Sequence, residues 1–180
     1  MSTTTVRGID PGHLTDEAIR STMTNCSRGE AHRMRVPEWV HTSDPVHEVV
    51  GWRDPKAPER GWLLVPMGEA VVGLALRVTP GKGVRTTAMC DLCRTTRAPG
   101  EVALFVAARA GESGRKLNTV GTYVCSDLAC ADNVRVLRAT PTLKPDPGLS
   151  ISQRREALRD RAVAFAQRVL ATADRGTRGV

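Results

Sequence analysis

The sequence predicts an α+β protein: a small antiparallel sheet with an N-terminal helix before it and a C-terminal helix after it. Three observations carry this prediction. Five short β-rich runs, separated by Gly and Pro clusters, lie between residues 61 and 124. Helix-start signals stand on either side of them, at Thr15 and at Ser150. Four of the five cysteines form two tight pairs, Cys90 with Cys93 and Cys125 with Cys130, so the end of the sheet is tied to the segment beyond it.

Residues 1–13 have no apolar period and are expected to form a flexible N-terminus. In "HLTDEAIRSTM", Thr15 reads as an N-cap, Asp16 and Glu17 complement the positive end of a helix, and Leu14 is placed to staple onto Ile19. This predicts a helix over about 16–24, resuming through "GEAHRM". Pro37, Pro45, Pro55 and Pro58 then argue for turns rather than a long element over 37–60. The expected strands are "GWLLV" (61–65), "AVVGLALRV" (70–78), "VRTTAM" (84–89), "EVALFVAA" (101–108) and "TVGTYV" (119–124), with "TPGKG" (79–83) as a hairpin turn. Beyond Cys125, "SDLACADNVRVLRA" reads as helical, with Ser126 and Asp127 in its first turn. "TPTLKPDPG" (140–148) is a Pro-rich connector. Ser150 and Gln153 form a capping box, after which Leu158, Ala162, Phe165 and Val169 share one helical face, and the helix is expected to run to Gly176.

A chain of 180 residues with 41% apolar content suits one domain. We expect that domain over 14–171, with a flexible tail at 172–180. The apolar runs are far too short for a membrane span, which predicts a cytoplasmic protein without membrane contact. Lys and Arg number 26 against 19 Asp and Glu, a formal charge of +7. Anionic partners, either nucleic acid or an acidic protein, are therefore expected. Only six aromatic residues are present, too few for a broad platform that stacks single-stranded RNA.

The spacing Cys-x2-Cys, 31 residues, Cys-x4-Cys is the strongest signal in the chain. Zinc takes four thiolates in a tetrahedron, and two close pairs achieve this by joining two distant segments. The first pair lies at a strand end, where a tight turn aims both sulfurs at one point. The second straddles the start of a helix, whose N-terminal end favours thiolates. A knuckle, a β-hairpin and a helix carrying the second pair make a treble-clef zinc finger, expected over about 87–138. Disulfides or a redox Cys-x2-Cys are the rival readings; the first lacks a secretory leader, and the second leaves the other pair without a purpose. Four protein ligands close the coordination sphere, so the expected single zinc is structural rather than catalytic. Cys26 is left over and reads as a packed thiol. His32, His41 and His47 fit no ligand pattern, and Trp52 and Trp62, which bracket the Pro-rich turn, read as core or turn packing.

The segments "GWRDPKAPERGWL", "VVGLALRV", "MCDLC" and "VALFVAARAGESGRKLNTVGTYVCSDLACADNVR" resemble the C-terminal treble-clef domain of the elongation factor G-binding proteins, the family of the fusidic-acid-resistance protein FusB. The resemblance runs over about 14–171. It implies a protein that binds elongation factor G, on or off the ribosome, and helps it leave. Cys90, Cys93, Cys125 and Cys130 would be the zinc ligands. The factor-facing surface would lie between Phe105 and Tyr123 and use Arg109, Arg115, Lys116 and Asn118. The resistance proteins carry an additional N-terminal helical bundle, where this chain is expected to have only one short helix before the matching region, so binding and drug resistance need not travel together.

The residues between the cysteine pairs agree with a partner-binding surface. Arg94, Arg97, Arg109, Arg115 and Lys116 outnumber Glu101 and Glu112, and "ESGRKLN" (112–118) is expected as a loop between two strands, where function concentrates. The alternative is a zinc-finger binder of ribosomal RNA or DNA through the same arginines. An enzyme is not expected, because the sequence has no nucleophile elbow, phosphate loop or zincin helix. The protein is expected to be a monomer.

Overall fold

In the computed structural model, residues 14–42 and 48–171 are described. The expectations for 1–13, His47 and 172–180 lie outside them. Among the described residues three small helices come first, α1 (Asp16–Ser21), α2 (Arg28–Arg33) and α3 (Glu38–Thr42). Thr15 caps α1 through Ala18 N–H at 3.1 Å, and Ser27 caps α2 through Glu30 N–H at 3.1 Å. One N-terminal helix was thus too simple an expectation.

The Pro-rich stretch also holds more structure than its prolines suggest. It contains α3, strand β1 (Val50–Asp54) and the start of β2 (Ala57–Met67). Asp54 makes the turn by accepting Lys56 N–H at 2.9 Å, with Pro55 between them. Strand β3 follows (Ala70–Gly83) after a turn at Gly68, whose φ of 63° suits glycine.

The expected hairpin turn over 79–83 is not formed; β3 continues through it. The early part of β3 pairs with β2 and its end with β6 (Val102–Ala108), with a register shift between Val78 and Gly83. Gly83 serves a close approach instead of a turn, since a Cβ there would stand 2.5 Å from the Gly100 carbonyl oxygen. The expected strand over 84–89 reduces to β4 (Ala88–Met89), paired with β5 (Thr96–Arg97), which in turn pairs with β8 (Leu143–Lys144) inside the Pro-rich connector.

The main sheet is five-stranded and antiparallel, in the order β1-β2-β3-β6-β7, where β7 is Thr119–Cys125. The predicted loop between β6 and β7 contains α4 (Gly111–Arg115). Past Cys125 only α5 (Cys130–Asn133) is helical, far shorter than expected. The last element among the described residues, α6 (Ile151–Leu170), is the predicted C-terminal helix and stops at Leu170, short of the expected Gly176. Its capping box is complete, with Gln153 N–H on Ser150 Oγ at 3.2 Å and Ser150 N–H on Gln153 Oε1 at 2.9 Å.

The sheet separates two cores. Strand residues alternate faces, and one face buries Leu63, Leu74, Leu76 and Phe105 against the cysteines and the α6 residues Leu158, Ala162, Phe165 and Val169. The other buries the cross-strand pair Trp52 and Trp62 with Leu64 against Leu14, Ile19 and Met34 of the N-terminal segment. Both tryptophans are core, as expected. Because β2 is covered on both sides, Trp62 to Val65 are all buried, and the strand reads as a continuous apolar run.

Candidate metal centre

The four cysteines converge where the knuckle, the end of β7 and the start of α5 meet. Cys90 Sγ lies 3.6 Å from Cys130 Sγ and Cys93 Sγ lies 3.6 Å from Cys125 Sγ, and all four sulfurs are within 4.8 Å of one another. Zn–S bonds of 2.3 Å imply tetrahedral edges of roughly 3.8 Å, so this donor set fits one zinc ion. A disulfide needs sulfurs roughly 2 Å apart, which these pairs are not. All four are free and buried, and among the described residues they are the one His/Cys/Asp/Glu group able to hold a metal.

The first pair is a knuckle closed by Arg94 N–H on the Cys90 carbonyl at 3.0 Å, with Cys93 N–H directed at Cys90 Sγ at 3.4 Å. Arg94 takes a left-handed φ of 57°. The knuckle is held to the edge of β7 by Asp91, which accepts Tyr123 N–H at 2.9 Å and Thr122 Oγ1–H at 3.3 Å. The second pair is bridged by a turn in which Leu128 N–H meets the Cys125 carbonyl at 2.9 Å. Asn133 Nδ2 donates to Cys125 Sγ at 3.3 Å, a bond that favours the thiolate and orients it.

Electrostatics inside the cluster is that of thiols sharing too few charges. Hydrogen bonds from Cys125 and Cys130 hold the Cys93 thiol far below its ordinary range, whereas bonds to Cys125, Cys90 and Cys93, with burial, push Cys130 well above it. Zinc supplies the positive charge that lets all four be thiolates together.

Two glycines that the sequence pattern left unassigned seat this turn. Leu128, buried and at φ 60°, rests on β1 and β2. A Cβ at Gly51 would lie 2.8 Å from the Leu128 carbonyl oxygen, and one at Gly61 would lie 2.8 Å from Leu128 Cδ1. Arg53, on the same face, reaches Ser126 O at 3.3 Å and stacks over Phe105 at 5.9 Å. Isolated glycines within strand patterns signal such close approach, and that signal is present in "GWRDPKAPERGW".

With this geometry in place, the comparisons decide the family. The model of the FBP C-terminal treble-clef zinc-finger family matches residues 18–169. The chain belongs to this family. No curated protein and no solved structure matches.

The candidate partner residues separate into two groups. Phe105, expected on a binding surface, is wholly buried; its position on β6 turns it to the α6 side, where an apolar ring is best kept from water. Arg109 is turned to the C-terminus of α6, with Nη1 on the Ala171 carbonyl at 3.2 Å and on the Arg168 carbonyl, and so caps a helix. Arg115, Lys116 and Asn118 are exposed around α4, with Lys116 paired to Glu112 at 2.7 Å and Asn118 bonded to Ser113. Tyr123 is 47% exposed beside Leu104, its cross-strand partner at 41%.

The basic excess read between the cysteine pairs is partly neutralised. Arg97 is buried and paired with Glu101 at 3.0 Å and Asp127 at 3.3 Å. Arg94 and, from outside the expected region, Arg168 are exposed, and Arg161 is half-buried between them. Burial, and then the charge of Arg94, pull Arg161 below the ordinary guanidinium range. Cys26 is half-buried against the tryptophan core, and burial pushes its thiol up to about 11. His41 bonds Leu14 O and Asp16, and His32 is exposed apart from it. Among the described residues, no helix is long and apolar enough to cross a membrane.

Proposed function

We propose that this protein is a non-enzymatic translation accessory factor that binds elongation factor G and promotes its release from the ribosome. The observation that carries the reading is the four-cysteine centre set in a chain whose family match spans residues 18–169, joined to the resemblance of its segments to elongation factor G-binding proteins. Bound zinc would fix the β6–β7 hairpin relative to α5. Four protein ligands complete its coordination, and its chemistry is that of a brace. The surface that this brace presents, Tyr123 with Leu104 on one side and Arg115, Lys116 and Asn118 beyond, would meet the factor. Release follows if that surface prefers the factor's ribosome-free conformation, since a binder shifts an equilibrium only by unequal affinity for the two states. Fusidic acid resistance would follow where the released factor is one that the drug holds in place.

The formal charge of +7 favours a second reading, a zinc-finger binder of nucleic acid. Calorimetry of the zinc-loaded protein with elongation factor G, at two salt concentrations and with ribosomal RNA as competitor, separates the two. Saturable one-to-one binding that RNA leaves intact is expected. No heat with the factor, together with steeply salt-dependent RNA binding, would overturn the proposal.

A further inference from the structure

β7 forms one edge of the main sheet, and part of that edge is open. The orientation of its backbone follows from its neighbours. Tyr123 faces away from β6, exchanging N–H and C=O with Asp91 at 2.9 and 2.7 Å, whereas the Asn118 carbonyl faces β6, accepting Arg109 N–H at 2.9 Å. Outward groups recur at every second residue of an antiparallel strand, so Thr119 and Gly121 also direct N–H and C=O away from the sheet. Neither residue has a hydrogen-bond partner for those groups among the described residues, and both are exposed. Asp91 closes the edge at Tyr123 and leaves it free at these two positions.

Gly121 also lines a cleft of about 300 Å³ between the knuckle and α6, into which Arg94, Arg161 and Arg168 converge. Two are held in place, Arg161 by Nε donating to Leu92 O and Arg168 by stacking on Phe165 at 5.5 Å; Arg94, exposed and with Nη1 3.9 Å from Met89 Sδ, projects from the left-handed end of the knuckle. That left-handed backbone costs a side-chain-bearing residue about 1 kcal/mol that glycine would avoid. Among the described residues none of the three guanidiniums is in an ion pair. The carboxylate in the cleft, Asp91, is engaged by Tyr123 and Thr122.

We propose that the open β7 edge and the arginine cleft together dock a short, extended, acidic segment of a partner protein. Its backbone pairs with Thr119 and Gly121, and its carboxylates enter between Arg94, Arg161 and Arg168, with bidentate geometry available to each guanidinium. The backbone argues for a peptide over a nucleic acid. Phosphates would satisfy the arginines but bring no amide donors for the outward carbonyls of Thr119 and Gly121. The surface deepens the factor-binding reading, and rests on it only where the partner is elongation factor G.

Two probes test it: elongation factor G, and a seven-residue peptide alternating glutamate with valine. The variants are Arg94→Glu with Arg168→Glu, and Gly121→Pro against Gly121→Ala. The last two bring the same Cβ towards Leu104 Cδ1 at 3.2 Å, but only proline removes the outward N–H. Zinc content and melting temperature establish that each variant is folded. The peptide is expected to bind saturably and to shift the amide resonances of Thr119 and Gly121; the charge reversals and Gly121→Pro should each weaken binding at least tenfold, and Gly121→Ala less than threefold. Peptide binding with no response to the factor leaves the docking site standing and removes the factor reading. Factor binding unchanged in every variant, with no peptide binding, overturns the docking site and leaves that reading intact. Binding of an RNA oligomer that depends on the arginines but not on Gly121, with no peptide binding, overturns it in favour of nucleic acid.

Discussion

The two faces of the main sheet are built on different principles. One is covered by a twenty-residue helix with a complete capping box and by a four-cysteine centre; the other is covered by helices of six, six and five residues. Helices that short do not persist alone in water, so the N-terminal cover exists because Leu14, Ile19 and Met34 bury themselves on the tryptophan pair. The metal face can be specified by local chemistry, while the tryptophan face depends on the sheet having formed. Since β2 and β3 serve both, damage to the metal face should reach the other side.

The largest test of that dependence is removal of the metal. Structural zinc sites contribute on the order of 10 kcal/mol, so chelation, or Cys90→Ser or Cys125→Ser, should unfold the finger and abolish partner binding with it. Tryptophan fluorescence reports the opposite face through Trp52 and Trp62; a red shift in step with zinc loss is expected, and an unshifted spectrum would mean that the faces fold independently.

Glu48 offers a smaller break. Buried two residues before β1, it pairs with Arg155 at 2.7 Å and Arg135 at 3.0 Å, joining the approach to the sheet to α6 and to the segment after α5. Glu48→Gln should cost about 2 kcal/mol by weakening the charge-assisted bonds to two partly exposed guanidiniums, measured by urea unfolding with zinc present. Gly51→Ala tests the seat of the zinc turn: the added methyl should cost about 2 kcal/mol by overpacking against Leu128 and hasten zinc transfer to a chelator. Unchanged transfer would mean that the turn is held by its ligands alone.

Helix caps sharpen the comparison further. Ser150→Ala should cost about 1 kcal/mol, read by thermal melting, and Thr15→Ala no more than that, since α1 is held by burial. The smallest effect concerns Cys26. With its thiol pushed to about 11 from 9.0, its thiolate fraction at neutral pH falls about a hundredfold, and iodoacetamide should label it correspondingly slowly. Labelling at the rate of an ordinary thiol would show that the N-terminal cover opens readily.

The difference between the faces also explains what could be read in advance. The ligand set, the knuckle and α6 were legible because cysteine spacing, a capping box and a helical apolar period are local signals. β1 and α3 were hidden by prolines whose effect is local, while the pairing that overrides them comes from β2. The continuation of β3 past Val78 was hidden by "TPGKG", whose last glycine, Gly83, serves a close approach to Gly100 instead of a turn. Phe105 was misplaced because strand alternation gives two faces without saying which one α6 will cover.

The sequence by itself determined that four cysteines would gather, that a capped helix would begin at Ser150, and that the molecule would be cationic, since each rests on residue identity and short-range spacing. The tertiary structure decided which charges remain free. Arg97 and Arg109 turn inward to carboxylates and a helix end, and Arg94, Arg161 and Arg168, up to 74 positions apart, meet at one cleft. Side chains that distant are brought together only by the packing of α6 against the finger, a long-range consequence of burial that no local pattern records.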